Sequence, residues 1–528
     1  MSTFIDAITV NNHQAIVIPD GPSLTYFQLA QNVAHLQQIF TNSKSPLSGA
    51  STQCSIGISI PNSLEFVVSF LAIVNTARIA APLNFNYKKN EFDFYLGDLD
   101  AKAIFVPRGF RRQGNQPIIQ SAIDNHAYIV EVFFDKKTNS IEYEVFSTTS
   151  TTPVFVSKRD SAKASCNLTK FSGKPSPEDV AMILHTSGTT GRPKAVPLTH
   201  RNITASMRII SGTYSLNSDD TTYVVMPLFH VHGLIGALFS TFYSQGTAII
   251  APKFSAHNFW KDFITYKATW YSAVPTIHQI LLKVGLPKGE VPKIRFIRSC
   301  SSALAPANLE KLEQTFRAPV VEAMGMTECA HCVTSNNLPQ FGKRKPGTVG
   351  QAHGVEIVIL NERNEILKQG EIGEVSIKGE NVTKGYLNNP KANAENFTAG
   401  YFRTGDQGYF DKDNFLTLTG RIKELINRGG EKISPIELDN VMLTYPKVAE
   451  AVAFGVEDEK YGQVVHAAIV LAPNASLTLE EFQKYLKTKI ASFKVPEKVY
   501  FVDKLPKTPT GKIQRRTLPK IFARKSKL

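Results

Sequence analysis

The sequence predicts an α/β protein: a large N-terminal domain of βαβ units with mixed sheets and a small β-unit, then a small α+β C-terminal domain. Three observations carry this. Short apolar strands alternate with helix-length segments as far as Val321. Between Val355 and Gly379 the apolar period drops to two, and beyond Gly420 the composition turns rich in Lys and Glu. A chain of 528 residues exceeds what one ordinary core accommodates, so the domains are drawn at 1–420 and 421–528.

Residues 15–18 read as a strand, and residues 25–40 place apolar side chains at helical spacing. A second strand over 55–60 leads to Asn62 and Glu65, which open a long apolar helix in capping-box fashion. Residues 102–106 form the next strand, and this alternation argues for right-handed βαβ units and a parallel sheet. Residues 107–178 are less regular, with room for an edge hairpin. The alternation resumes with a strand at 180–184 and a helix from about His200. Further strands follow at 223–226, 247–250, 294–297 and 319–321. Residues 355–360 and 373–378 pair around a polar turn. In the last domain Thr478 and Glu481 cap a helix over 479–490, flanked by strands at 449–454, 465–471 and 498–502.

At 42% hydrophobic and 20% charged residues the chain is of globular composition. Its longest apolar run, 224–239, is short for a membrane span and is interrupted by Pro227, His230 and His232, so a buried strand–helix pair explains it. The N-terminus lacks the basic and apolar regions of a secretory signal. Cys54, Cys166, Cys300, Cys329 and Cys332 make no disulfide framework, so no disulfide partner and a reducing compartment are expected. Cys329 and Cys332 lack the two further ligands that zinc needs, which leaves them as free thiols.

The net charge of +14 gathers at one end, where residues 484–528 carry fourteen Lys/Arg against Glu497 and Asp503. RNA or an acidic membrane surface could exploit such a tail, but binding a polyphosphate also calls for cations. Ser526-Lys527-Leu528 reads as a peroxisomal address for the import receptor. The expected location is the peroxisomal matrix, with peripheral contact to its membrane open to the basic tail.

The string His185-Thr-Ser-Gly-Thr-Thr-Gly-Arg-Pro-Lys194 carries the chemistry. Gly188 and Gly191 allow a tight loop that turns amide N–H groups inward. Thr186, Ser187, Thr189 and Thr190 add donors, and Arg192, Pro193 and Lys194 close the string. This suits a polyphosphate, although no Lys-Ser or Lys-Thr follows the second glycine as in a Walker loop. Four further strings follow in order: Pro227-Leu-Phe-His-Val-His-Gly233, Glu322-Ala-Met-Gly-Met-Thr-Glu328, Tyr401-Phe-Arg-Thr-Gly-Asp406 with Arg421, and Pro506-Lys-Thr-Pro-Thr-Gly-Lys-Ile-Gln514. In the last, Pro509 and Gly511 make a rigid turn that holds Lys512 out.

These five strings, in this order, resemble the adenylate-forming superfamily of acyl-CoA synthetases, luciferases and peptide-synthetase adenylation domains. The resemblance implies ATP, Mg²⁺ and CoA as reactants and cofactor, and a mobile C-terminal domain with its hinge at Lys423. It implies that residues 185–194 hold the β and γ phosphates. Glu322, Ala323 and Met324 seat adenine, Thr327 meets the α-phosphate, Asp406 holds the ribose, and Arg421 reaches ribose or phosphate. Lys512, Thr186 and Glu328 form the catalytic set, with Glu328 on the metal, and Gly429 and Gly430 lie near the entering CoA thiol. Met324 departs from the aromatic residue usual at its position, which weakens stacking on adenine.

The acid is a separate question. Histidines at 230, 232 and 331, with Ser299, Ser301 and Ser302, are too polar for a fatty-acid pocket. The strings Phe-His-Val-His-Gly, Ser-Cys-Ser-Ser-Ala-Leu-Ala-Pro and Met-Thr-Glu-x-x-His resemble the oxalate–CoA ligases of yeasts and plants, whose fungal peroxisomal members also end in Ser-Lys-Leu. On that resemblance a second carboxylate meets His331, Ser301 and either His230 or His232. The alternatives are a medium-chain fatty acyl-CoA synthetase and an RNA-binding protein acting through the basic C-terminal region. A carrier-loading adenylation domain lacks its usual attachment serine after Lys512, and nothing in the sequence favours a luciferase-like oxygenase.

Overall fold

Two large sheets carry the first three motifs, and the last two fall in the smaller sheet units that follow. The computed structural model describes residues 3–113, 115–157, 175–186, 192–289 and 291–522. The nine-stranded sheet contains Gln14–Val17, Thr247–Ile250, Thr221–Val224, Trp270–Ala273, Phe296–Cys300 and Val320–Met324 as parallel neighbours. Its edge then turns antiparallel through Thr334–Ser335 and Gln351–Ala352. The eight-stranded sheet is parallel around Ser55–Ile58, Ile79–Pro82 and Ala103–Pro107, and antiparallel where the hairpin Tyr128–Asp135 and Ser140–Phe146 forms one side. The parallel strands read as nearly continuous apolar runs because helices cover both faces.

Helix Leu64–Asn75 is apolar all round and buried along its length. Its Phe70 packs against Phe4 and Phe239, which joins the first sheet to the second. The expected cap shifts by one residue. Ser63, not Asn62, accepts the N–H of Phe66. Asn62 is instead spent on long-range bonds, donating to the carbonyl oxygens of Met226 and Ala251 and accepting the N–H of Leu228. Glu65 accepts the N–H of Phe134 rather than closing a capping box. Thr478 caps its helix as expected, but Glu481 turns to Tyr445 and Lys447.

The small β-unit is larger than the sequence suggests. Glu356–Leu360 and Gly373–Lys378 pair, and Phe397–Thr398, Tyr401–Phe410 and Leu416–Arg421 complete five antiparallel strands. The last domain has its own five-stranded sheet, with Gly462–Leu471 at its centre, Val448–Asp458 along one edge and Lys498–Phe501 parallel to the central strand. Among the described residues no helix is long and apolar enough to cross a membrane.

Candidate active site

The phosphate loop joins two antiparallel strands, Val180–Thr186 and Lys194–Thr199, and not a strand and a helix directly. Pro197 is tolerated because Lys194–Thr199 is the edge strand of its sheet. The helix expected at His200 then begins, capped by Thr199. Thr186 and Lys194 sit opposite each other at the mouth of the loop. Arg192 is exposed and Pro193 half-buried beside it. Ser187, Gly188, Thr189, Thr190 and Gly191 lie outside the described residues, as do Cys166 and Ser526-Lys527-Leu528.

Lys194 lies over the ring of Tyr386, 4.5 Å from its centroid, and the Tyr386 hydroxyl donates to Glu328 Oε1 at 2.9 Å. Burial pushes the Lys194 ammonium pKa down, and the carboxylate of Glu328 acts in the opposite direction. Tyr386 is not marked out by the sequence, where one tyrosine after a Lys-Gly pair carries no signal. Glu328 itself is buried in the short turn Thr327–Cys329. Among the described residues no three His, Cys, Asp or Glu side chains are grouped to cage a metal ion. Mg²⁺ commonly takes one or two carboxylates and completes its shell with water and phosphate oxygens, so the Glu328 carboxylate fits it.

Glu322, Ala323 and Met324 form the end of strand Val320–Met324 rather than following it, and all three are buried. The Glu322 carboxyl accepts the N–H of Gly347 at 3.0 Å, and burial pushes its pKa up to about 8. Asp406 and Arg421 face each other across two antiparallel strands, with Arg421 Nε 2.7 Å from Asp406 Oδ1. Burial raises the pKa of Asp406, and the Arg421 guanidinium partly offsets this. The guanidinium is half-exposed, so the pair forms the rim of the site and not its floor.

The turn at Pro509 and Gly511 forms as expected, with the Gly511 N–H donating to the Thr508 carbonyl and Gly511 at φ +85°. It does not hold Lys512 out to solvent. The Gly511 carbonyl accepts a hydrogen bond from Thr276 Oγ1 at 3.0 Å, which seats the turn against the large domain. Lys512 is thereby brought within the fields of Arg421, Cys300, Asp406 and Glu328, and burial lowers its pKa. Lys423 occupies the turn Ile422–Glu424 after strand Leu416–Arg421. Gly429 and Gly430, both at positive φ, form the tip of a hairpin next to Tyr461. Among the described residues this tip shares no hydrogen bond with those gathered round Lys512.

The histidines converge. His232 and His331 are fully buried and stack, with centroids 5.1 Å apart and rings inclined by 20°. His232 Nε2 lies 2.7 Å from Ser272 Oγ, and its Nδ1 lies 3.1 Å from Ser301 Oγ. His331 Nε2 is 2.7 Å from Arg298 Nη1. Arginine only donates, so neutral His331 carries its proton on Nδ1, and that atom is buried without a partner among the described residues. His230 Nδ1 accepts the N–H of His232, which leaves Nε2 as its N–H. Burial holds the pKa of His230 down at about 3 and those of His232 and His331 well below the usual range, with Lys512 adding to each. Ser301 and His331 both adopt positive φ, +75° and +92°, the backbone strain that gathers at functional sites. Arg298 and Ser272 carry no role that the sequence assigns. The available signal is a lone arginine in the buried Phe-Ile-Arg-Ser-Cys strand.

Comparison with known proteins identifies the family. The profile of the AMP-binding enzyme family matches residues 6–387, and that of the AMP-binding enzyme C-terminal domain matches 437–512. The chain is 54% identical to the oxalate–CoA ligase of Saccharomyces cerevisiae, over all of this chain and 98% of that one. It is 47% identical to the oxalate–CoA ligase of Arabidopsis thaliana, over 89% of this chain and 88% of that one. Among solved structures, ATP-bound MatB from Rhodopseudomonas palustris superposes with a TM-score of 0.83 at 27% identity, covering 97% of this chain and 96% of that one. The chain therefore belongs to the AMP-binding enzyme family and is an AMP-forming acid–CoA ligase.

Proposed function

We propose that the acid is oxalate and the product oxalyl-CoA. One observation carries the reading. The cluster presents N–H and O–H groups from buried His331 and half-buried Ser301 and His230, with the His331 Nδ1 proton lacking an acceptor among the described residues. An unpaired buried donor is costly, and a second carboxylate removes the cost. The likeness to two oxalate–CoA ligases supports the same choice. A medium-chain fatty acid would leave this donor unsatisfied.

The enzyme uses ATP, Mg²⁺ and CoA. A carboxylate oxygen of the acid attacks the α-phosphorus, and the bond to pyrophosphate breaks, giving an acyl-adenylate. The CoA thiol then attacks the acyl carbon, AMP departs, and the thiol proton passes to solvent. Lys512 neutralises charge at the α-phosphate in the first step, and Thr186 and Lys194 bind the phosphates beyond it. Asp406 accepts from the ribose hydroxyls, with Arg421 holding its carboxylate in place. Glu328 would hold Mg²⁺, which would supply Lewis-acid neutralisation of the phosphates. We also place the enzyme in the peroxisome on the strength of Ser526-Lys527-Leu528.

The test is pyrophosphate and AMP release with ATP, Mg²⁺ and CoA over oxalate, malonate, acetate and octanoate. Oxalate should be preferred, and Lys512→Ala should lower its turnover by about 100-fold or more. Octanoate preferred with oxalate inert would overturn the choice of acid and leave the ligase class standing.

A further inference from the structure

Strand Phe296–Cys300 carries a charge through the middle of the molecule. Arg298 is fully buried, yet the titratable groups that act on it most strongly are Tyr214, Cys300 and Cys332, none of them a carboxylate. Its Nε donates to the Tyr214 hydroxyl at 2.8 Å, which in turn lies 2.7 Å from Ser335 Oγ. Nη1 divides its two hydrogens between Ser272 Oγ, at 3.2 Å, and His331 Nε2, at 2.7 Å. Nη2 is buried with no partner among the described residues. Buried guanidinium groups are normally paired with an anion, because desolvation without one is expensive. Here the protein supplies none among the described residues.

We propose that Arg298 is a specificity-determining residue that supplies the positive charge for the second carboxylate of a dicarboxylic acid and holds His331 and His232 as donors. The inference rests on the dicarboxylate reading above. The route through the imidazoles follows from hydrogen-bond chemistry. Because Nη1 occupies Nε2 of His331, that ring keeps its proton on Nδ1. Because Nη1 also donates to Ser272 Oγ, the serine hydrogen goes to His232 Nε2. His232 then keeps its proton on Nδ1 and donates to Ser301 Oγ, so the Ser301 hydroxyl hydrogen is left for an acceptor. One guanidinium thus sets His331, His232 and Ser301 as donors. A pocket of donors around a buried cation favours a dianion over a monocarboxylate with an apolar chain.

The test uses the full-length enzyme with Arg298→Met and Arg298→Lys, each checked by far-UV circular dichroism and thermal melting. In Arg298→Met, kcat/KM for oxalate should fall about 100-fold more than for the best monocarboxylate, mainly through KM of the acid. Arg298→Lys keeps the charge but loses the fork, and should recover part of that loss. If the Met variant does not fold, the Lys variant carries the test, with oxalate KM raised about 10-fold relative to the monocarboxylate. Where no monocarboxylate is turned over, calorimetric titration of oxalate into enzyme saturated with a non-hydrolysable ATP analogue should read the same loss. A wild-type enzyme that uses only monocarboxylates overturns the dicarboxylate reading and the role of Arg298 together. Wild-type use of a dicarboxylate, with both variants unaffected or with all acids reduced by one factor, overturns the role of Arg298 alone.

Discussion

Glu322 stands among the nucleotide-site residues as a carboxyl group that burial keeps protonated to about pH 8, with only the Gly347 N–H favouring its charge. Its folded pKa lies above the ordinary carboxyl value, so the folded state holds the extra proton. Stability contributed by this group is present at low pH and is lost as pH rises from about 5 to 8. A tenfold difference in proton affinity between the folded and unfolded chain is worth about 1.4 kcal/mol. Glu322→Gln keeps an acceptor for Gly347 and removes the titration. Urea melts over that range should therefore show the variant gaining on the wild type as pH rises, and parallel profiles would refute the assignment. At this scale the sequence is informative wherever a motif constrains the residue. Asp406, Arg421, Glu328 and Lys512 are legible in their strings and gather in one place. Arg298, Ser272 and Tyr386 are not, because each acts through a neighbour that is distant in the chain.

The segment Leu234–Phe239 is a π-helical insertion that wraps His331. A Cβ on Gly236 would stand 2.4 Å from His331 Nε2. The opposite side gives no room, since a Cβ on Gly325 would stand 2.9 Å from His331 Nδ1 and 2.0 Å from its carbonyl oxygen. Gly236→Ala should thus displace the imidazole and break its bond to Arg298, costing about 1–3 kcal/mol of stability. Chemical denaturation and oxalate turnover should both register the change; a variant matching the wild type in both would exclude this packing. Helix and strand positions are largely legible, because periods of 3.6 and two survive without knowledge of partners. The π insertion is not, since Leu-Ile-Gly-Ala-Leu-Phe reads equally well as ordinary helix. Nor is strand Lys194–Thr199, whose proline argues against a strand unless its edge position is known.

Across the whole molecule, the hydrogen bond from Thr276 to the Gly511 carbonyl is where the small domain delivers Lys512 to the large one. If Lys512 serves adenylate formation alone and then withdraws, the contact matters to one half-reaction. Thr276→Val should slow adenylate formation by about three- to tenfold, the equivalent of one ordinary hydrogen bond. Pre-steady-state pyrophosphate release would measure this, with the later CoA-dependent step unchanged. An equal slowing of both steps would show that Thr276 does not act through this docking. The sequence by itself determined the α/β class and the order of the motifs, because local periodicity and phosphate-binding strings depend on residues close together in the chain, and the ligase chemistry followed from the resemblance those strings carry. Tertiary structure alone decided that strand Gln14–Val17 pairs with the distant Thr247–Ile250, while Ser55–Ile58 joins the other sheet. It likewise decided that Tyr214, Arg298, Ser272, His232 and His331 meet around one buried charge. Those contacts span long stretches of chain, and their energy comes from burial and hydrogen-bond satisfaction that exist only once the sheets have closed over them.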